Sequence, residues 1–149
     1  MEIRRIASTL AVVLGALMIV GGGATALMVR SELATQNIVT PDDACLPGNE
    51  VKGPFTAWCQ AQVIDRHARD ATGGLTFAEL ARDDPRRASA MNASFLRASL
   101  FTSIVAYGVA AMAAAMGVLL ILIGLGMRDV ERHVAGRAAE LATSRRPRA

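Results

Sequence analysis

The chain has 149 residues, a formal net charge of +3 and a composition in which 52% of residues are hydrophobic but only 4% aromatic. This mixture of Ala, Val, Leu, Ile, Met and Gly is typical of lipid-facing helices and disfavours a water-soluble domain. The apolar residues are also concentrated in two blocks, which predicts membrane spans.

The first block, residues 6–29, has 24 consecutive residues without a charge, and the second, residues 98–127, has 30. About 20 helical residues are enough to cross the roughly 30 Å hydrocarbon core. The second block is long enough to tilt or to run past the bilayer as an ordinary helix. Because ion pathways normally need ionisable groups at membrane depth, channel or transporter activity by this chain alone is not expected.

The first block has a second interpretation, a secretory signal peptide. MEIRR precedes the apolar run, and Ala24-Thr25-Ala26 resembles a cleavage site of small residues. The uncharged run is longer than the roughly 7 to 15 residues of a typical signal core, which favours an uncleaved anchor. Either alternative exports the middle of the chain.

Basic residues near the spans predict the orientation, because cytoplasmic flanks carry more Lys and Arg. Arg4 and Arg5 precede the first span, and the tail carries Arg128, Arg145, Arg146 and Arg148. We therefore expect a multi-pass protein of the plasma (inner) membrane with both termini in the cytoplasm. The predicted segments are a cytoplasmic N-terminus (1–5), helix 1 (6–29), an extracytoplasmic helical cap (30–97), helix 2 (98–127) and a basic cytoplasmic tail (128–149).

Both cysteines of the chain, Cys45 and Cys59, lie in the predicted cap within the stretch CLPGNEVKGPFTAWC. Their spacing excludes a C-x-x-C redox pair, and a zinc site would need about four ligands where the cap offers two thiols and one imidazole. An extracytoplasmic location permits disulfides, so we predict a Cys45–Cys59 bridge. The fold class is then an all-α membrane protein, a helical hairpin with a cap closed by one disulfide.

Within the cap, Pro54 predicts the start of a helix over about residues 55–71. We expect one face of this helix to form the cap surface that another helix approaches, with Ala57, Ala61, Ile64 and Ala68 on it and His67 near its edge. Asp65 and Arg69, and Arg66 and Asp70, are spaced to pair along the opposite side. The capping-box spacing of Thr76 and Glu79 predicts a short second helix, and Pro85 the start of a long one.

The spans carry small residues four positions apart, a spacing that lets transmembrane helices approach closely. A chain so rich in Ala and Gly also produces this spacing by chance. The predicted packing residues are Ala7, Ala11 and Gly15 in the first span, and Ala106, Ala110, Ala113, Ala114 and Gly117 in the second.

Two stretches, GPFTAWCQAQVIDRHARDATGGLTFAEL and MNASFLRASLFTSIVAYGVAAMAAAMGVLLILIGLG, resemble a family of small actinobacterial two-span membrane proteins of unknown role. The resemblance covers about residues 30–127. Members often carry the label aromatic ring-opening dioxygenase, small-subunit type. That label implies a non-haem iron site, commonly two histidines and a carboxylate. His67 and His133 are the only histidines, and the predicted topology places them on opposite sides of the membrane.

We therefore expect no enzyme and no catalytic, cofactor or metal site. One hypothesis is a non-enzymatic structural or accessory subunit of a cell-envelope membrane complex that presents the cap. The alternative is a cap that binds a ligand as a sensor module, and a more remote one is a dioxygenase-related role. The expected partners are the lipid bilayer and other membrane proteins or a second copy. Nucleic acid is not expected, because the basic tail lacks interleaved aromatics.

Overall fold

A computed structural model describes residues 2–144, and within this range the protein is all-helical. Three helices follow one another, α1 (Glu2–Thr35), α2 (Pro54–Thr72) and α3 (Arg87–Ser144). The predicted helical fold class is confirmed at this level. Arg145, Arg146 and Arg148, predicted to contact the membrane surface, lie outside the described residues.

Helices α1 and α3 are the two apolar elements that the sequence predicts. Their stretches Ile3–Thr35 and Arg87–Val134 are long and apolar enough to cross a membrane. Both helices extend beyond the uncharged runs 6–29 and 98–127, because charged residues end an apolar run without ending a helix. The chain divides into two compact units, residues 1–23 with 112–149 and residues 24–111.

In the first unit, α1 and α3 approach each other at glycine. A Cβ atom added to Gly15 would lie 2.5 Å from the carbonyl oxygen of Gly117, and one added to Gly117 would lie 2.5 Å from that of Gly15. A Cβ on Gly124 would lie 2.8 Å from the carbonyl oxygen of Ser8. Only residues without a side chain allow backbones to come this close, so these contacts fix where the two helices pack.

The small residues at this interface repeat every seven positions on each helix. On α1 the contact positions are Ser8 and Gly15, and on α3 they are Gly117 and Gly124, all four buried. A seven-residue period keeps one narrow stripe of a helix facing a neighbour over several turns. The four-residue spacing used in the sequence analysis finds Gly15 and Gly117 but misses Ser8 and Gly124.

The second unit is the cap, and its core gathers residues from both long helices, from α2 and from the loop before α2. Ala57 and Ala61 of α2 are fully buried against Leu33 of α1 and Leu100 of α3. Val51, three residues before the start of α2, is also buried here. Alanine at two successive turns lets α2 pack closely, as the sequence predicts for this face. The face lies inside the cap, however, and Ala57 and Ala61 do not form an exposed surface.

Residues 38–51 double back on themselves to form a closed loop between α1 and α2. Val39 and Glu50 form an isolated antiparallel bridge, and the amide of Thr40 donates to the carbonyl of Asn49 at 2.9 Å. The Thr40 hydroxyl is buried, accepts from the Asn49 amide at 3.0 Å and contacts the carbonyl of Leu46. These hydrogen bonds pair polar backbone groups within the loop and hold together the segment that contains Cys45.

Helix α2 ends at Gly73, which has φ of 68° and accepts the left-handed conformation that stops a helix. The predicted short helix at Thr76–Glu79 is wrong, because the structure has only a turn there. Glu79 does accept from the amide and hydroxyl of Thr76, each at 2.7 Å, so the local capping contact exists. The nine residues between Gly74 and the Asp84-Pro85 turn are too few to form a stable helix by themselves.

Candidate functional site in the cap

Cys45 and Cys59 form the predicted disulfide, with their Cα atoms 5.4 Å apart. Cys59 lies on the second turn of α2 and is almost fully buried, whereas Cys45 lies in the loop. The bridge therefore ties the loop to the part of α2 that also carries Ala57 and Ala61. By the chain-entropy argument, closing a loop of about 15 residues contributes about 3 kcal/mol to the free energy of unfolding.

A second link between the same loop and α2 forms at Asp43. Arg66 donates to the carboxylate of Asp43 at 3.0 Å and to its carbonyl at 2.7 Å, and His67 Nε2 lies 2.9 Å from the same carboxylate. Partial loss of water raises the pKa of Asp43, but the bonds from His67 and Arg66 outweigh this effect and lower it. Arg66 thus contacts Asp43 and not the predicted Asp70, because the loop approaches α2 from that side.

The two histidines are placed in different units of the chain. His67 is half-exposed and engaged with Asp43, and His133 on α3 lies 3.7 Å from Asp129. Among the side chains that the structure describes, no three His, Cys, Asp or Glu residues are grouped to hold a metal ion.

A cavity of about 290 Å³ lies between α2, residues 75–78 and the first turns of α3. Asp65 occupies one wall and pairs with two arginines, Arg69 at 3.2 Å and Arg97 at 2.8 Å. The Asp65–Arg69 pair is the one that the sequence predicts. The Nε atom of Arg97 is buried and has no hydrogen-bond partner among the described residues. Ala68, Ala90 and Ala93 supply apolar wall, so the cavity combines charge with apolar surface.

The loop from Gly73 to Arg86 closes one side of this cavity and is held by two arginines. Arg86 donates to the carbonyl of Thr72 at 3.1 Å and pairs with Asp84 at 2.8 Å. Hydrogen bonds from Arg86 lower the pKa of Asp84 to about 2. The guanidinium of Arg87 lies 4.1 Å from the centre of the Phe77 ring and donates to the Phe77 carbonyl.

The remaining predicted residues of α2 are partly covered. Ile64 packs against the cap core, and Ala68 lies at the wall of the cavity, each partly buried. The predicted cap surface is therefore an internal packing face over Ala57, Ala61 and Ile64. Only His67, at the edge of this face, is accessible.

The predicted span-packing residues differ in burial. Gly15 and Gly117 are in contact and buried, and Ala110 is buried. Ala7 is exposed, and the others are partly buried: Ala11, Ala106, Ala113 and Ala114. Ser8 and Gly124 are contact residues that the sequence analysis missed. The signal that identifies them is the seven-residue repeat of small residues on both helices.

The basic residues predicted to flank the spans are solvent-accessible where the structure describes them. Arg4 and Arg5 are exposed on the first turn of α1. The partly buried Arg128 donates to the hydroxyl of Thr9 at 3.1 Å. That bond joins α3 to α1 in the first unit.

Sequence reasoning also missed how far the cap core extends along α3. Leu100, Phe101, Ile104 and Tyr107 pack in the cap core, and the Tyr107 hydroxyl donates to the carbonyl of Lys52 at 2.7 Å. The rings of Trp58 and Phe101 meet edge to face with centres 5.5 Å apart. The first ten residues of the uncharged run 98–127 therefore belong to the part of α3 that packs in the cap. Nothing in the run itself separates them from the residues that follow.

Comparisons with protein families, with curated proteins and with solved structures find no match to this chain. The resemblance to the actinobacterial two-span family therefore stays a prediction from the sequence.

Proposed function

We propose that this chain is a non-enzymatic integral membrane protein whose helical hairpin anchors an extracytoplasmic, disulfide-closed cap. In this proposal it acts as a structural or accessory subunit of a membrane complex of the cell envelope. The plasma membrane holds it, both termini lie in the cytoplasm, and residues 30–97 lie outside.

The observation that carries the proposal is the apolar surface that α1 and α3 leave uncovered in the first unit. Large apolar side chains of both helices are half or more exposed there, far beyond the patches that water-soluble proteins tolerate. A bilayer is the environment in which such side chains are stable. The exposed residues include Leu10, Val13, Leu14, Leu17, Val20, Met112, Leu119, Leu122 and Ile123.

The cap core supports a shorter second span than the uncharged run 98–127. Lys52 and its pair Glu50 are charged, and the Lys52 carbonyl bonds Tyr107. Charged groups are unfavourable in hydrocarbon, so we place the outer edge of the hydrocarbon core near Gly108. Residues 108–127 then number 20, which span about 30 Å and match the core thickness.

Thiol labelling tests the topology. In a Cys45→Ser, Cys59→Ser background, one new cysteine is placed at Asp42, which is exposed in the cap loop, or at Ser144 in the tail. A membrane-impermeant maleimide added to intact cells should label Asp42→Cys at once and Ser144→Cys only after lysis. The opposite pattern, or labelling of both before lysis, contradicts the proposed orientation.

Purification from native membranes in mild detergent tests the accessory role. We expect other membrane proteins to co-purify in constant stoichiometry and to dissociate when the cap is removed by proteolysis. A chain that elutes alone at every detergent concentration contradicts this role.

The cavity at Asp65, Arg69 and Arg97 favours a second candidate function, binding of a small acidic ligand by the cap. A buried guanidinium nitrogen without a partner is unfavourable, and a carboxylate ligand that displaces Asp65 would supply new acceptors. Thermal unfolding in the presence of small mono- and dicarboxylates tests this function. The function is supported if a carboxylate raises the unfolding temperature of the unsubstituted protein and of Arg82→Gln but not that of Arg97→Gln. Arg82 is the control, because it is exposed and lies outside the cavity. Equal responses of both variants contradict this function.

A further inference from the structure

The end of the cap that carries the first turn of α2 has an unusual surface. Phe55 and Trp58 are both exposed, Phe55 with 79% of its surface and Trp58 with 48%. Their neighbours Ala57 and Cys59 point inward and are buried. Two large aromatic rings on the outside of a small unit indicate a contact with something other than water.

Contacts between α2 and α3 show which way this end of the cap points along α3. The Lys52 carbonyl bonds Tyr107, Trp58 packs on Phe101, and Asp65 pairs with Arg97. As the chain advances along α2, its partners on α3 therefore move back toward the start of α3. The first turn of α2 is consequently the part of the helix nearest to Gly108, where we place the outer edge of the hydrocarbon core.

The depth of the two rings follows from the rise of α3. Phe101 is seven residues before Gly108, which corresponds to about 10 Å along the helix. The polar headgroup region on each side of the hydrocarbon core is roughly 5 to 8 Å thick. Phe101 thus lies about 2 Å beyond the headgroup layer, and the half-exposed Trp58 ring that packs on it lies at the outer surface of that layer. Phe55, one turn earlier on α2, lies within this layer.

Basic side chains accompany the aromatic rings at this end. Arg30 of α1 and Lys52 line an open groove of about 450 Å³ together with Phe55. Lys52 is paired with Glu50, whereas Arg30 has no ion-pair partner in the part of the chain that the structure describes. Aromatic rings and long basic side chains are the two residue types that concentrate at membrane–water interfaces.

We propose that Phe55, Trp58, Arg30 and Lys52 form a lipid-binding edge through which the cap inserts into the headgroup layer of the outer leaflet. This inference rests on the proposed membrane anchor and adds a second contact between the protein and the bilayer. The partner is the lipid surface itself, because aromatic rings, basic side chains and the start of the apolar run at Gly108 lie at the same end of the cap. The edge would fix the tilt of the cap over the membrane.

Trp58 is the only tryptophan of the chain, so its fluorescence reports the environment of this edge in the unmodified protein. The full chain is reconstituted into phosphatidylcholine vesicles that contain lipid with a nitroxide on the headgroup or deep in the acyl chain. We expect the headgroup nitroxide to quench Trp58 at least twofold more strongly than the deep one. Iodide on both sides of the membrane should quench it several-fold less than it quenches free tryptophan.

Two variants separate insertion from simple burial. Phe55→Ser should weaken quenching by the headgroup nitroxide and increase quenching by iodide, because the edge leaves the headgroup layer. Leu75→Ser changes an exposed apolar residue in the loop after α2 and should leave both values unchanged. Equal effects of the two variants overturn the inference.

The remaining outcomes are also decisive. In one outcome, the vesicles retain the protein after alkaline washing, and iodide but neither nitroxide quenches Trp58. That result overturns the lipid-binding edge and leaves the anchor intact. Protection of Trp58 from both quenchers indicates that a second copy covers the edge, which also overturns it. Release of the protein by the alkaline wash overturns the anchor and the edge together.

Discussion

The hydroxyl of Tyr107 donates a hydrogen bond of 2.7 Å to the backbone carbonyl of Lys52, a residue 55 positions earlier in the chain. The bond joins α3 to the segment that leads into α2. It also supplies a partner for a carbonyl group that α2 does not satisfy.

Replacing Tyr107 with Phe keeps the ring in the cap core and removes only the hydroxyl. We expect the free energy of unfolding to fall by about 1 kcal/mol, since the Lys52 carbonyl loses its partner. Chemical unfolding in mild detergent, followed by Trp58 fluorescence, measures the change. Ser103→Ala is the control, because Ser103 bonds the carbonyl of Ser99 in its own helix. Equal stability of Tyr107→Phe and the unsubstituted protein contradicts the prediction.

The approach of α1 and α3 at Gly15 and Gly117 leaves no room for a methyl group. Gly117→Ala would place its Cβ against the Gly15 carbonyl, so we expect the helices to separate and the protein to lose about 1 to 3 kcal/mol. Gly126→Ala is the matched control, because a Cβ there meets nothing within 4 Å. Alanine favours a helix over glycine, so the control should be as stable as the unsubstituted protein or more so.

Pulse proteolysis in mixed micelles with increasing SDS compares the two glycine variants. The prediction requires Gly117→Ala to unfold at a lower SDS fraction than Gly126→Ala. If both variants resist SDS equally, the close approach of the helices is not what holds the hairpin together.

The disulfide loop contains the only lysine of the chain, Lys52, so lysyl endopeptidase has a single site, inside the loop. We expect reduction to accelerate cleavage there by up to about a hundredfold, which corresponds to about 3 kcal/mol of lost loop restraint. Reducing gels of timed digests measure the rate. Reductant should not change the rate for Cys45→Ser, Cys59→Ser, which should be cleaved rapidly throughout. A rate that reduction leaves unchanged in the native chain contradicts the prediction.

The carboxylate of Asp84 responds to acid in a defined pH range. Its pKa is lowered to about 2 from an ordinary value of 3.8 by hydrogen bonds from the side chain and backbone of Arg86. A group whose pKa is depressed on folding stabilises the fold above its ordinary pKa. That contribution is then lost as the pH falls from about 4 to about 2.

Hydrogen exchange at the Arg86 amide, which donates to Asp84 at 2.8 Å, measures this loss. After correction for the intrinsic rate, protection should decrease between pH 4 and pH 2. Asp84→Asn should show weak protection throughout and little pH dependence in that range. Asp83→Asn should behave like the unsubstituted protein, because Asp83 is exposed and does not accept this bond.

The sequence predicted the features that depend on neighbouring residues. Uncharged runs predicted two long helices, and Pro54 predicted the start of α2. The pairing of Cys45 with Cys59 was also predictable, because the chain offers no other cysteine. Each of these signals acts within a few turns of chain.

The features that the sequence analysis missed depend on contacts between distant segments. Thr76 and Glu79 have the spacing of a capping box and make its contact, yet the segment around them is too short for a helix. Arg66 has Asp70 four residues away but contacts Asp43, which the folded loop brings beside it. Tyr107 lies in an apolar run that gives no sign of the Lys52 carbonyl 55 positions away. The turn at Thr76 and the contacts of Arg66 and Tyr107 all depend on how the cap packs.

The Cys45–Cys59 bridge has a consequence for how the protein matures. A thiol pair closes where the surroundings are oxidising, and reducing systems keep it open in the cytosol. With the proposed topology, a newly made chain stays reduced until its cap has crossed the membrane. The redox state of the pair then marks each molecule as translocated or retained. A chain retained in the cytosol would lack the covalent restraint on the loop that contains Lys52.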